Sequence, residues 1–356
     1  MIVLSTFAIL AILPALSVLY REFIHGRTTR SAVLVTVGIC AGSAVIWLVV
    51  SACVPQVVSS PLWLPAAALA AVAGFLCSLP IRDLTPRTGP AVAYAFVWVL
   101  AIYVPAALIV LFPREVGIAA AGSAIDLGGA LPVHVTVGAS ALVVAVFTRK
   151  RPNVARTRSR PAARALLLWG VVLWVGWTVG LAGLELAIDD VTPRILLNCL
   201  LAPLASLGGW LLIQRMRLHS TSVDGAVTGL VCGLVAVTPA SGYLDPLWAI
   251  VTGAVAGVSC AAFVLGRLRS PARRSWYLVG VHLVAAAIGL VLLGFFASGY
   301  GFIYTGQPGP AQSQVTGTLA VAVWAALLSL ALWPIARRLI VRTSLRPAAS
   351  QRRGAA

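Results

Sequence analysis

Apolar runs long enough to cross a bilayer as helices recur along the whole 356-residue chain, separated by short polar breaks. A hydrocarbon layer of roughly 30 Å needs about 20 residues of helix, and inside lipid the backbone must satisfy its own hydrogen bonds. Eleven such runs can be drawn, near residues 2–20, 31–53, 63–80, 89–112, 127–148, 165–187, 194–214, 225–241, 244–266, 277–298 and 315–336. The predicted fold class is an all-α polytopic membrane protein.

The polar breaks are not alike, and their charge orients the chain. Short loops rich in Lys and Arg resist translocation and stay cytoplasmic. With the N-terminus outside, all of the 26 basic residues except Arg114 and Arg194 fall in cytoplasmic segments, which predicts an N-out, C-in topology. The most basic break, Arg149 to Arg164, divides the chain into two halves of five spans plus one last helix. The expected organisation is a membrane domain over 1–340, with repeat one about 1–148, an inverted repeat two about 165–298, the last helix about 315–336, and a short basic tail over 341–356.

Composition agrees with the pattern. With 60% apolar residues, 10% charged residues and a mean hydropathy of +0.99, too little polar surface exists to coat a soluble globule. The net charge of +17 does not predict nucleic-acid binding, because the arginines sit in membrane-proximal loops without interleaved aromatics; topology and anionic lipid account for them. Residues 1–20 lack a basic stretch before the apolar run and are expected to be the first span, not a signal peptide. Cys40, Cys53, Cys77, Cys199, Cys232 and Cys260 fall in or at the ends of spans without metal-ligand spacing and read as packing residues. No metal or cofactor is expected. HExxH and GxSxG are absent, and no intramembrane carboxylate pair offers acid/base chemistry, so no enzyme is predicted.

Candidate chemistry lies with histidine. His25 and His219 fall in loops, whereas His134 and His282 fall in the fifth and tenth spans, each the last of its half. Their settings, "PVHVTVGASALV" and "GVHLVAAAIGLV", both place Val before the His and small residues (Gly138, Ala139; Ala285, Ala286) about one turn later. Inverted repeats would bring both to one midplane axis. Small neighbours let helices approach closely, which favours a packed interior or pore wall. A neutral imidazole there can donate and accept hydrogen bonds. The plainer alternative is a buried histidine bridging two helices.

Other candidates are Asp126, which could cap the helix carrying His134 or attract a cation from outside, and the outer acidic group Glu185, Asp189 and Asp190. Trp174 and Trp177 in "LWVGW" could flank a pore, although membrane tryptophans more often pack or sit at the interface.

These blocks resemble the ammonium transporter and Rhesus protein family over nearly the whole chain. The match is carried by "DGAVTGLVCGLVAVTPASGYLDPLWAIVTGAVAG" (Asp224 to Gly257), by "IDLGGALPVHVTVGASALVVAVFTRKR" with an aspartate eight residues before His134, by "VGVHLVAAAIGLVLLGFFAS", and more weakly by "YVP", "LWVGW" and "ILPALSVLY". The resemblance implies a homotrimer in the cell membrane, each subunit with a narrow apolar pore in which His134 and His282 are the paired histidines. Its implied function is channel-like transport of ammonium/ammonia, with proton removal at the outer mouth, because a whole cation pays far more than neutral ammonia to enter an apolar lumen.

Departures from the family pattern gather at the vestibule. The recruiting tryptophan falls at Leu111, a gate phenylalanine at Gly180 and a recruiting serine at Leu184; the aspartate before the second histidine falls at Tyr277. Arg21 and Glu22 replace glycines after the first-span tyrosine, and Phe75 lies in the span of the other gate phenylalanine without aligning to it. Weakened outer recruitment is therefore expected, and a non-conducting ammonium sensor or scaffold subunit is the alternative. Partners expected are ammonium/ammonia, the bilayer and two further copies. The tail lacks the acidic residues through which family members bind a nitrogen-signalling protein, so that partner is not expected.

Overall fold

The computed structural model describes residues 1–21, 29–85, 87–117, 124–149 and 162–345. The basic stretch after Arg149 and the end of the tail lie almost wholly outside the described residues, as do His25 and Glu22. Among the described residues, ten helices are long and apolar enough to cross a membrane, and an eleventh apolar helix is shorter. In chain order they are α1 (Ile2–Leu19), α2 (Thr29–Ser51), α3 (Trp63–Leu84), α4 (Gly89–Leu111), α5 (Ala130–Phe147), α6 (Ala163–Leu184), α7 (Val191–Leu218), α8 (Val223–Val237), α9 (Pro246–Leu265), α10 (Arg273–Phe296) and α11 (Gly309–Leu345).

The short member is α8, which stops at Val237 where the apolar run continues to about 241. Pro239 explains the stop: it has no N–H, and its ring disfavours helical geometry in the residue before it. The irregular backbone that follows is held by named donors. Leu127 N donates to Pro239 O at 3.3 Å, and Asn198 Nδ2 donates to the carbonyls of Ser241 and Leu244 at 2.8 and 2.7 Å. Non-helical backbone at such depth is tolerated only when protein satisfies it.

Helix α3 extends beyond the predicted end at 80, through Pro80 to Leu84, and every residue from Pro65 to Asp83 is buried. Its charged end is buried with partners: Arg82 donates to Thr36 Oγ1 at 3.1 Å, and Asp83 pairs with Arg274 at the start of α10. Close helix contacts fall where side chains vanish. A Cβ on Gly253 would lie 2.0 Å from Ala202 O, and one on Gly257 would lie 2.1 Å from Ser206 O, so this small-xxx-small pair seats α9 directly on the backbone of α7. Trp98, Ser140 and Ser329 join α4, α5 and α11 through hydrogen bonds of 2.8 and 2.7 Å.

Large apolar side chains such as Phe7, Val37, Val175, Leu247 and Leu327 face outward, as hydrocarbon solvent allows. All six cysteines are unpaired; Cys53 is exposed and the other five are buried.

Candidate functional site

The two histidines are brought ring to ring. Nδ1 of His282 lies 3.2 Å from Nδ1 of His134, with ring centroids 5.2 Å apart and planes within 16°. Both are buried, His282 completely and His134 to 3% exposure. The close approach has a local cause, since Gly138, one turn after His134, leaves no side chain between α5 and α10: a Cβ there would stand 2.5 Å from both Cβ and N of Leu283.

Each histidine sits in a π-helical turn, His134 in Ala130–Val135 at the start of α5 and His282 in Val279–Val284 within α10. The wider turn carries one extra residue past the regular spacing and re-aims its side chains, a device common at functional sites. Nothing in the apolar pattern signalled these turns, although Pro132, which cannot donate to the helix ladder, lies inside the first.

The pair is the middle of a column of four near-parallel rings. Trp177 of α6 stacks on His134 at 5.3 Å and 20°, and Tyr20, just past α1, stacks on His282 at 6.0 Å and 25°. Tyr20 Oη lies 2.9 Å from Nε2 of His282. Phe75 and Tyr277 meet the Tyr20 ring edge-on at 6.5 and 6.0 Å. On the far side, beyond His134, lies a cavity of about 30 Å³ walled by Ile9, Ile12, Leu69, Val72, Leu181 and neighbours. That volume holds one or two molecules the size of water.

The remaining sequence candidates divide. Gly180 and Leu184 line the cavity beside Trp177 and Thr238. Leu111 is half-buried at the end of α4, near Gly129, and is not part of that wall. Tyr277 is half-buried on the Tyr20 side, its hydroxyl 3.2 Å from Thr228 Oγ1. Asp126 accepts hydrogen bonds from Ala130 N and Leu131 N, both at 2.7 Å, and so caps α5 through the left-handed turn at Gly129 (φ 73°). Burial pushes its carboxyl up to about 6, against the opposing pull of the backbone N–H groups of Leu131, Ala130 and Gly129.

The two tryptophans of "LWVGW" have different fates: Trp174 donates to Cys199 O at 2.6 Å, while Trp177 also donates to Thr238 Oγ1 at 3.0 Å. Glu185, at the C-terminal end of α6, is raised by desolvation and then by Asp189 beside it, and it accepts from Thr192 at 3.2 Å. Among the described residues no cluster of His, Cys, Asp or Glu is placed to hold a metal. Sequence reasoning gave no role to Tyr20; its only signal was its place at the end of the first span.

Residues 55–351 match the Ammonium Transporter Family. The chain belongs to this family. It is 31% identical over 265 residues to an ammonium transporter of Mycobacterium tuberculosis strain ATCC 25618 / H37Rv, an alignment covering 69% of this chain and 56% of that protein. To the ammonium transporter of Aquifex aeolicus it is 29% identical over 246 residues, covering 67% and 56%. The chain thus spans little more than half the length of these curated relatives. Its fold is shared with the crystal structure of Saccharomyces cerevisiae Mep2 (TM-score 0.77, 21% identity, 93% of this chain and 83% of that one) and with a structure named "Sensor Amt Protein" (TM-score 0.76, 17% identity, 95% and 92%). The protein is a multi-pass membrane member of the ammonium transporter family.

Proposed function

We propose that this family member conducts ammonium nitrogen across the cell membrane as neutral ammonia, leaving the proton at the outer mouth. The single observation that carries the reading is the hydrogen-bonded pair His134–His282 set directly beside an apolar cavity of about 30 Å³. An intact ammonium ion entering such a space would lose its hydration against walls that return almost nothing, whereas ammonia loses only hydrogen bonds that imidazole nitrogens can replace. Potassium has no proton to shed and is excluded on the same ground.

The proposal takes the N-out, C-in topology, the two inverted five-helix repeats and a homotrimer as its framework, with His134 and His282 as the substrate pore and Asp126 as a structural residue of the outer mouth. Leu184 and Gly180 give the cavity apolar walls where polar recruitment would be expected, so capture of the cation is weak. Control by a nitrogen-signalling protein through the tail is not part of the proposal. Uptake of labelled methylammonium, or an ammonia-driven pH change, in proteoliposomes tests it; a flat response over all concentrations rejects conduction.

A second reading is a sensor or scaffold subunit that binds ammonium without passing it. The apolar side chain of Leu184 at the cavity and the shared fold with the sensor structure favour it. Binding without uptake in the same liposomes would select it.

A further inference from the structure

A second and larger hollow lies away from the histidines. Helix α1 packs on α6 and α3, and α2 packs on α3 and α4, while α1 and α2, consecutive in the chain, barely meet. Between them is a groove of about 660 Å³. Small side chains make the room, Ala41 and Ala44 on α2 and Ala71 on the buried α3 beneath. Leu10, Val33 and Val37 stand exposed on its rims, so the groove opens to the surrounding hydrocarbon. A concave space of this size is large enough to enclose most of a small molecule.

The depth of the groove is informative. Its walls run from Arg21 to Leu10 on α1 and from Ala32 to Ala44 on α2. At about 1.5 Å per residue these are lengths of roughly 16 and 18 Å, close to half of a hydrocarbon layer of roughly 30 Å. The groove is therefore about one leaflet deep, and it begins at the loop that joins the two helices.

The only charged residue in its wall stands at that loop end. Arg21 lies just past α1, half-buried, and its buried Nε has no hydrogen-bond partner among the described residues. Two more arginines share that side of the membrane. Arg30 is exposed in the first turn of α2, and Arg82, near the end of α3, donates at 3.1 Å to Oγ1 of Thr36, itself a groove residue. A guanidinium fork matches phosphate oxygens, and a basic end on an apolar trough has the polarity of a phospholipid. An acidic peptide would leave the trough unfilled, and a plain hydrocarbon would leave the guanidinium unpaired.

We propose that the groove holds one anionic glycerophospholipid of the leaflet at the α1–α2 loop, its phosphate on Arg21 and one acyl chain between α1 and α2. The site does not depend on the ammonia path. It does lie close to the histidine column, since Arg21 directly follows Tyr20, whose ring stacks on His282.

Native mass spectrometry of the whole protein, titrated with dioleoyl phosphatidylglycerol and dioleoyl phosphatidylcholine, tests the proposal. The wild type is expected to hold one phosphatidylglycerol per chain about fivefold more tightly than phosphatidylcholine. Arg21→Gln should erase that preference, whereas Arg215→Gln, at an exposed arginine near the end of α7 and outside the groove, should keep it. Ala41→Trp fills the trough and should weaken both lipids alike. A preference that survives Arg21→Gln, an equal loss from Arg215→Gln, or undiminished binding in Ala41→Trp overturns the proposal. A benzophenone amino acid in place of Val37 gives a second readout in unextracted membranes with Arg21 intact. Photolysis is expected to yield a phospholipid adduct; a link to a second copy of the chain or to another protein would mean that protein covers the groove, and would overturn the proposal as well.

Discussion

Gly138 of α5 lies flat against the backbone of Leu283, the neighbour of His282, so closely that a Cβ would sit 2.5 Å from the Leu283 nitrogen. This contact fixes the spacing of the two histidine rings. Gly138→Val should force α5 and α10 apart, at a cost of about 1–3 kcal/mol in overpacking. Methylammonium uptake should fall much more than the thermal midpoint in detergent. Unchanged uptake would show that the ring contact is not needed.

Replacing either histidine by glutamine keeps polar bulk and removes titration. Uptake rate or selectivity against potassium should change in both His134→Gln and His282→Gln, while the assembly survives size-exclusion chromatography. A purely structural histidine predicts the reverse, with an unpaired partner costing roughly 1–3 kcal/mol and the assembly lost. Wild-type transport in both variants would remove the histidines from the mechanism.

Leu184 lines the cavity and Leu111 does not, so their substitutions should separate. Leu184→Ser adds a hydroxyl to the cavity wall, on the proposed path; one hydrogen bond to a charged group, about 1.5–3 kcal/mol, corresponds to a tenfold or larger fall in the half-saturating concentration. Leu111→Trp should change it much less alone. Equal effects from both would place Leu111 in the same vestibule.

Asp126 gives a pH signature. Its carboxyl is raised in the folded protein to about 6 from an ordinary value of 3.8, so between those two pH values the folded state holds the proton more tightly than the unfolded state. Stability contributed by this group is therefore present below about pH 4 and declines as pH rises towards 6. Thermal midpoints measured over that range should fall relative to those of Asp126→Asn, which does not titrate. Parallel curves would mean that burial does not govern this carboxyl.

Orientation can be read directly. A reporter after Ala356 should be cytoplasmic and one near Gln307, in the loop before α11, external. Labelling of both from one side would break the eleven-span topology.

Much of this was visible in the chain. The spans and the intramembrane settings of His134 and His282 needed only period and length, and the aspartate before His134 was already a cap candidate. The rest depends on contacts that no local pattern encodes. The π-helical turns at His134 and His282 and the close approach of Gly138 to Leu283 are visible only once α5 and α10 are packed together. Trp177 could be read as flanking a pore or as an ordinary packing or interfacial tryptophan until α6 laid it on His134. Tyr20 acquires a role only because the end of α1 meets α10, 262 residues away. The end of α3 was drawn too short because Arg82 and Asp83 look like a boundary unless Thr36 and Arg274 are known to receive them.

The shortness of α8 has an electrostatic consequence. At 15 residues it is about 22 Å long, less than the layer it crosses, so its last turn ends inside the protein, where Thr238 borders the cavity. The carbonyl end of a helix carries roughly half a negative charge. The opposing end, at the start of α5, would offer a matching positive pole, but the Asp126 carboxylate already occupies it. With that positive pole neutralised by a side chain, the carbonyl end of α8 is left facing the cavity rim unopposed. On the proposed conduction path, such a rim would draw a cation without any side chain to bind it.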